Sequence, residues 1–159
     1  MQRNSGIIIQ IGGSGKGCGK TTLIERLLTF FPGAAFIKSA LHFEDESPHG
    51  GDDRRCSGAG AGYSVTFNQM KPYELNRHIQ LAGTESEVIF LERNRLDDQV
   101  KPDLYIFVSG GVADVRSDSD SRKNKADIIY EESCEPEIFN QILDMIHSLV
   151  RENTTDSGV

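Results

Sequence analysis

The segment GIIIQIGGSGKGCGKTT, residues 6–22, passes from an apolar run through a glycine-rich stretch into the start of an amphipathic pattern. Residues 6–12 are mostly isoleucine, which is typical of a buried strand. From Lys20 onward, apolar side chains recur at positions 23, 24, 27, 28 and 31, the spacing of a helix, and Pro32-Gly33 ends it. The segment therefore predicts a strand, a glycine-rich loop and a helix in succession.

The loop follows the phosphate-binding pattern G-x-x-x-x-G-K-[ST] over Ser14 to Thr21, except that Ser14 replaces the first glycine. Glycines let consecutive backbone amides point at phosphate oxygens, and the following helix adds its positive end. We expect Lys20 to bridge the β- and γ-phosphates and the Thr21 hydroxyl to bind Mg²⁺. The predicted nucleotide-binding residues here are Ser14, Gly15, Lys16, Gly17, Cys18, Gly19, Lys20, Thr21 and Thr22. The alternative is a glycine-rich turn that binds nothing, and Lys16 faces either phosphate or solvent.

An acid that positions the metal usually ends a neighbouring apolar strand. Glu92 closes the run Glu87-Val-Ile-Phe-Leu-Glu92, whereas Asp52 and Asp53 lie in a long polar loop. We predict Lys20, Asp52 and Glu92 as catalytic residues, and Thr21, Asp52 and Glu92 as metal ligands. The plain alternative for Glu92 is a solvated charge at the end of a strand.

The tetrapeptide Asn124-Lys-Ala-Asp127 matches the N-K-x-D motif, in which the aspartate pairs with two N–H groups of guanine. We therefore predict Asn124 and Asp127 as base-binding residues and GTP as the nucleotide. The motif normally follows an apolar strand, but here a polar segment precedes it and Ile128-Ile-Tyr follows. The competing interpretation is that these residues begin the last strand, which leaves ATP open.

The remaining pattern predicts an α/β protein with a three-layer P-loop NTPase fold, in which helices flank a mostly parallel sheet. Residues 1–151 form one predicted domain, residues 152–159 a flexible tail, and residues 112–125 a loop. The predicted strands are 6–12, 34–38, 63–67, 87–91, 104–108 and 127–130; the predicted helices are 20–31, 72–81 and 136–150, with a short one near 52–58.

Composition narrows the function further. The net charge of −7 argues against a general surface for nucleic acid or anionic membrane, and no apolar run is long enough to span a bilayer. Three widely spaced cysteines fit neither a disulfide framework nor a structural zinc site. We therefore expect a cytoplasmic protein without nucleic-acid or membrane partners.

Several of these residues resemble the MobB family, the adapter proteins of molybdopterin-guanine dinucleotide biosynthesis. The resemblance rests on the phosphate loop, on Phe36-Ile-Lys38 with His42, and on Asp52, Arg55 and Ala59-Gly-Ala61. It covers residues 6–111, and the sequence departs from the family pattern at Ser14, Ser39, Asp53 and Arg93. The resemblance implies a GTP-binding accessory protein, a homodimer, that assists the guanylyltransferase attaching GMP to molybdopterin.

Two other functions share the same loop. A small-molecule kinase needs an arginine-bearing lid, for which Arg116, Arg122 and Lys123 are candidates. A metallochaperone GTPase needs a cluster of cysteine and histidine, for which Cys56 and His49 are the nearest candidates. An adapter with slow GTP hydrolysis remains the first hypothesis, because no residue stands out as a strong catalytic base.

Overall fold

The computed structural model describes residues 6–15, 17–40, 51–68, 72–97, 99–110, 119–131 and 136–157, with backbone alone at 40, 51–53, 67, 68, 72, 156 and 157. Six strands form one sheet in the order β3-β2-β4-β1-β5-β6, and every neighbouring pair runs parallel. The elements, in chain order, are β1 (Ile7–Gly13), α1 (Lys20–Phe30), β2 (Ala35–Ala40), α2 (Gly51–Gly58), β3 (Tyr63–Asn68), α3 (Pro72–Gly83), β4 (Val88–Glu92), β5 (Leu104–Ser109), α4 (Ser119–Asn124), β6 (Ile128–Glu131) and α5 (Glu137–Ser157).

Helices cover both faces of this sheet because alternate strand residues point to opposite sides. On β4, Phe90 packs into a core with α1 and α5, while Ile89 and Leu91 pack into a second core with α3. The central strands are therefore apolar on both sides, which is why they read as continuous apolar runs. The predicted three-layer α/β fold is confirmed, and the sheet is parallel throughout.

The helices α4 and α5 differ from the sequence prediction. A polar helix, α4, occupies residues 119–124 inside the segment predicted as loop. Its six residues are too few to show a hydrophobic period, although Asp120 in its first turn and Lys123 in its last suit the helix dipole. The short helix predicted near 52–58 is present as α2. Residues 41–50, in the long polar loop predicted around that helix, lie outside the described residues.

The last helix also extends further than predicted. α5 continues to Ser157, six residues into the segment assigned as tail, although its final turns are polar. Thr154 Oγ1 donates to the Val150 carbonyl at 2.8 Å, and Thr155 Oγ1 donates to the Arg151 carbonyl at 2.6 Å. Both threonine side chains bond to carbonyls of the same helix, so these polar residues are accommodated within it. The end of the apolar pattern therefore did not coincide with the end of the helix. None of the described helices combines the length and apolarity needed to cross a bilayer.

Candidate functional site

The candidate site lies at the carboxyl edge of the sheet, where β1, β2 and β4 all end. β1 ends at Gly13, and residues 14–19 connect it to α1. Gly17 and Gly19 have φ values of 79° and 104°, in the left-handed region that side chains with a Cβ disfavour. These two glycines therefore fix the path of the loop.

The N-terminus of α1 opens onto this loop. Its N-cap residue is Gly19, and no side chain caps the helix. The helix begins with the bond from Leu23 N to Gly19 O at 3.0 Å, so the first-turn amides face out of the helix end. An uncapped helix end with a glycine-rich lead is suited to an anion.

Ser14, the departure from the phosphate-binding pattern, is directed away from the loop. Its amide donates to the Val108 carbonyl at 3.1 Å, and its hydroxyl lies 3.4 Å from both the amide and the carbonyl of Gly110. No described residue other than glycine has a positive φ, so the first pattern position does not need glycine here. The substitution is compatible with the loop because Ser14 still belongs to the β1–β5 pairing.

Thr21 and Glu92, which are 71 residues apart, come together beside the loop. The Thr21 hydroxyl donates to Glu92 Oε1 at 2.7 Å, and Glu92 is 4% exposed. Glu92 is therefore not the solvated charge of the alternative interpretation. The Lys20 side chain extends back to the loop, and its ammonium donates to the Gly15 carbonyl at 3.4 Å.

The second oxygen of Glu92 faces a lysine. Lys38 Nζ lies 3.2 Å from Glu92 Oε2, and the two residues are paired neighbours on β2 and β4. Hydroxyl and carboxylate oxygens are the ligands that Mg²⁺ prefers. The donors present thus fit a magnesium ion held directly by Thr21, with Glu92 binding it or orienting the threonine.

Two side chains form hydrogen bonds with the backbone of Gly13, the last residue of β1 before the loop. The sequence analysis did not identify either of them as part of this site. Asn94 Oδ1 accepts from the Gly13 amide at 3.0 Å, and Arg122 Nη1 donates to the Gly13 carbonyl at 2.8 Å. Arg122 is 4% exposed, and its guanidinium lies 5.7 Å from the centre of the Phe107 ring. It is a buried support of the loop and not a lid arginine. Asn94 carried no motif that would have identified it.

The space around Gly13 favours a glycine at this position. A Cβ there would overlap Cys18 Sγ and come within 3.1 Å of the Lys20 side chain. At Gly110, a Cβ would meet the Cys18 carbonyl at 2.8 Å. Cys18 is thus wedged between the end of β1 and the residue after β5, which explains a small side chain at this position.

Arg93 stands where the MobB-like pattern has glycine, and its side chain turns away from the phosphate loop. Its guanidinium forms two bonds with Asp97, at 3.1 and 2.9 Å, and is almost completely buried. Gln10 of β1 donates to the carbonyls of Arg93 and Arg95 at 2.9 and 3.0 Å. These bonds fix the segment that follows β4.

The contact with Arg93 changes the pKa of the Asp97 carboxyl. Burial raises its pKa, but hydrogen bonds from Arg93 and the Gln99 amide, with the charges of Arg93 and Arg95, outweigh burial and hold the pKa below the usual value. Asp97 is therefore a structural anion for the buried Arg93.

Asp127 is held at the beginning of β5 and not beside the loop. Asp127 Oδ2 accepts from the Tyr105 amide at 2.7 Å, and the Asp127 amide donates to the Tyr105 carbonyl at 2.9 Å. Tyr105 is three residues before Val108, the strand partner of Gly13, so this contact is about 10 Å along the sheet from the loop. The interpretation as a strand start is the one the geometry favours; the predicted guanine-binding role has no support from it.

Other predicted residues fall outside or beside the site. Lys16 lies outside the described residues, as do His49 and Arg116, and only the backbone of Asp52 is described. Cys56 is fully buried in the core. In the described ranges, no three residues among His, Cys, Asp and Glu are grouped to hold a metal.

α2 contacts α1 next to the loop. Arg55 forms an ion pair with Glu25, and its Nη2 lies 3.5 Å from the Thr22 hydroxyl. Thr22 is thus on the side of α1 that faces α2, beside the Thr21–Glu92 contact. The pairing places Arg55 of α2 beside the first turn of α1.

Taken with the glycine-rich loop, the parallel sheet and its strand order define a P-loop NTPase fold. No model of a known protein family matches the sequence, and no curated protein matches it. Among solved structures, HypB from Helicobacter pylori in complex with nickel is similar, with 14% identity, a TM-score of 0.62, and coverage of 95% of this chain and 90% of that chain. Thymidylate kinase from Candida albicans is also similar, with 15% identity, a TM-score of 0.50, and coverage of 94% and 93%. At these identities the likeness establishes the fold alone.

Proposed function

We propose that this protein binds a nucleoside triphosphate with Mg²⁺ at the carboxyl edge of its sheet. The observation that carries the proposal is the 2.7 Å bond between Thr21 and the buried Glu92, since it joins a phosphate-loop hydroxyl to an acid from a neighbouring strand. A glycine turn that bound nothing would have no need to bury a carboxylate there, because burial of a charge is costly.

Each residue of the site has a defined task in this proposal. The loop amides and the N-terminus of α1 hold the polyphosphate, and Lys20 leaves the Gly15 carbonyl to contact the β- and γ-phosphates. Thr21 and Glu92 hold Mg²⁺, which when bound neutralises charge developing on the phosphates. Gly17 and Gly19 keep the amides converging on one point.

We further propose that the nucleotide is GTP and that hydrolysis by the isolated protein is slow. The basis is the MobB-like resemblance, together with the state of Glu92, whose two oxygens already contact Thr21 and Lys38. A carboxylate held in this way serves a metal better than it activates water. A role as a homodimeric adapter for a guanylyltransferase acting on molybdopterin extends this proposal.

Two alternatives remain distinct in their chemistry. A small-molecule kinase would transfer the γ-phosphate to a metabolite. Arg122, one of its candidate lid residues, is instead buried and donates to the Gly13 carbonyl. A metallochaperone GTPase would retain Ni²⁺ or Zn²⁺ through residues other than the buried Cys56. Labelled γ-phosphate in a metabolite would favour the kinase, and stoichiometric metal after purification would favour the chaperone.

The direct test is equilibrium binding of GTP and ATP to the parent and to Lys20→Ala, with Lys101→Ala as the control. Lys101 is exposed and lies at the opposite edge of the sheet. We expect Lys20→Ala to weaken binding by about a hundredfold or more, because a charge-assisted contact to phosphate is lost from a desolvated site. Unchanged affinity in Lys20→Ala would refute the proposal. Light scattering and copurification then test the dimer and its partner.

A further inference from the structure

One carboxylate in the site is shared by two donors. Glu92 Oε1 accepts from the Thr21 hydroxyl at 2.7 Å, and Oε2 lies 3.2 Å from Lys38 Nζ. The Glu92 side chain is 4% exposed and that of Lys38 is 26% exposed. The Glu92 side chain is thus buried, while that of Lys38 is partly exposed.

The strand register explains this contact. Lys38 and Glu92 are paired residues on the adjacent parallel strands β2 and β4, so their side chains project from the same face of the sheet. Both residues lie close to the carboxyl ends of their strands, at the edge that carries the phosphate loop. The ion pair is therefore built into the sheet and does not depend on a flexible loop.

From this geometry we infer that Lys38 is the internal counter-ion of Glu92 and that it competes with Mg²⁺ for this carboxylate. A buried carboxylate is costly without a nearby positive charge, and Lys38 supplies one when no metal is bound. A cation held by Thr21 and Glu92 lies on the same carboxylate as the ammonium, so the two positive charges repel. This inference rests on the proposed nucleotide site and assigns a role to a residue outside the phosphate loop.

The inference has a consequence of definite sign. Removal of the ammonium eliminates the repulsion and leaves Glu92 without its counter-ion, so both effects make Mg²⁺ bind more tightly. A lysine that contacted the γ-phosphate would behave in the opposite way, because its removal would weaken binding of the Mg²⁺ complex. A merely structural lysine would lower stability and leave the metal dependence unchanged.

The test measures nucleotide affinity by equilibrium dialysis, once with excess Mg²⁺ and once with EDTA. The Mg²⁺ dependence is the dissociation constant in EDTA divided by the dissociation constant in excess Mg²⁺, so tighter binding of the Mg²⁺ complex raises it. For Lys38→Met we expect this Mg²⁺ dependence to increase about tenfold over the parent, since charges at contact distance near a protein surface interact strongly. Lys38→Arg retains the charge and should remain near the parent ratio. Lys101→Met makes the same charge change away from the site and should also leave the ratio unchanged.

A second variant shows whether Lys38 acts through Glu92. In a Glu92→Gln background, Lys38→Met should change the Mg²⁺ dependence by less than about twofold, because no carboxylate remains to be shared. An unchanged or smaller ratio in Lys38→Met, or an equal effect in the Glu92→Gln background, would overturn the inference. If the parent bound nucleotide under neither condition, the proposed function itself would fail, and that outcome is separate from failure of the lysine's role.

Thermal unfolding without nucleotide gives an independent readout. Lys38→Met should melt at a lower temperature than the parent, since Glu92 is left buried without its counter-ion, and Mg²⁺ with nucleotide should restore more stability to this variant than to the parent. Equal stabilisation of both proteins by the Mg²⁺ complex would contradict the competition. A variant too unstable to purify is replaced by Lys38→Gln, which removes the charge and keeps an N–H donor.

Discussion

Arg122 offers the sharpest test of how the loop is supported. Substitution by methionine retains an apolar stem near Phe107 and removes the donor to the Gly13 carbonyl, a bond of 2.8 Å made by a side chain that is 4% exposed. A hydrogen bond to a charged group contributes about 1.5–3 kcal/mol, and the carbonyl left behind adds a desolvation cost. Relief from burying a guanidinium offsets part of this. We expect a net loss of about 2–3 kcal/mol.

In a protein of this size such a loss lowers the melting temperature by about 5–10 °C. The assay is urea unfolding followed by circular dichroism, with Lys123→Met as the matched control on the same helix. Lys123 is about one-third exposed and lies 3.7 Å from Glu131, so its removal should cost less than about 0.5 kcal/mol. Nucleotide affinity of Arg122→Met should also fall, by about three- to tenfold, because Gly13 leads directly into the loop. Equal stability of the two variants would refute the role of Arg122.

Three further predictions concern Asp127, Ser14 and Asp97. Asp127→Ala should destabilise the protein by about 1–2 kcal/mol and leave the ratio of GTP to ATP affinity unchanged; a tenfold change in that ratio would instead support base recognition. Ser14→Gly should retain nucleotide affinity within about threefold, because its hydroxyl faces the residue after β5, and dialysis with labelled nucleotide checks this. Asp97 has a lowered pKa, so its stabilising effect is complete above the unfolded value of 3.8 and is lost as the pH falls through the lower folded value. Asp97→Asn should therefore cost about 2 kcal/mol at pH 7, since the buried Arg93 loses its carboxylate partner, with a difference that shrinks in urea titrations toward pH 3.

The parts of this fold that sequence predicts are those encoded locally. The first strand, the loop and α1 each carry their own signal: an isoleucine run, glycines at the positive-φ positions, and apolar residues at helical spacing. Glu92 was predictable because acids at the end of an apolar strand lie at the same edge as the loop.

The parts that sequence missed depend on contacts between distant residues. The bond from Arg122 to Gly13 spans 109 positions, and the bond from Asn94 to Gly13 spans 81. Neither pairing leaves a periodic or spaced pattern in the chain. The motif around Asp127 stays open to both interpretations for a related reason, since four residues match equally well whether they follow a strand at one edge of the sheet or precede one at the other.

The position of Arg122 on α4 also links two parts of the molecule thermodynamically. Because α4 and the end of β1 share this bond, we expect a ligand that holds the loop more firmly to hold α4 more firmly as well, and any such coupling is reciprocal. Amide hydrogen exchange in residues 119–124 should therefore slow when nucleotide binds. A protein that docks on α4 and holds it more firmly would in turn alter how tightly the nucleotide binds.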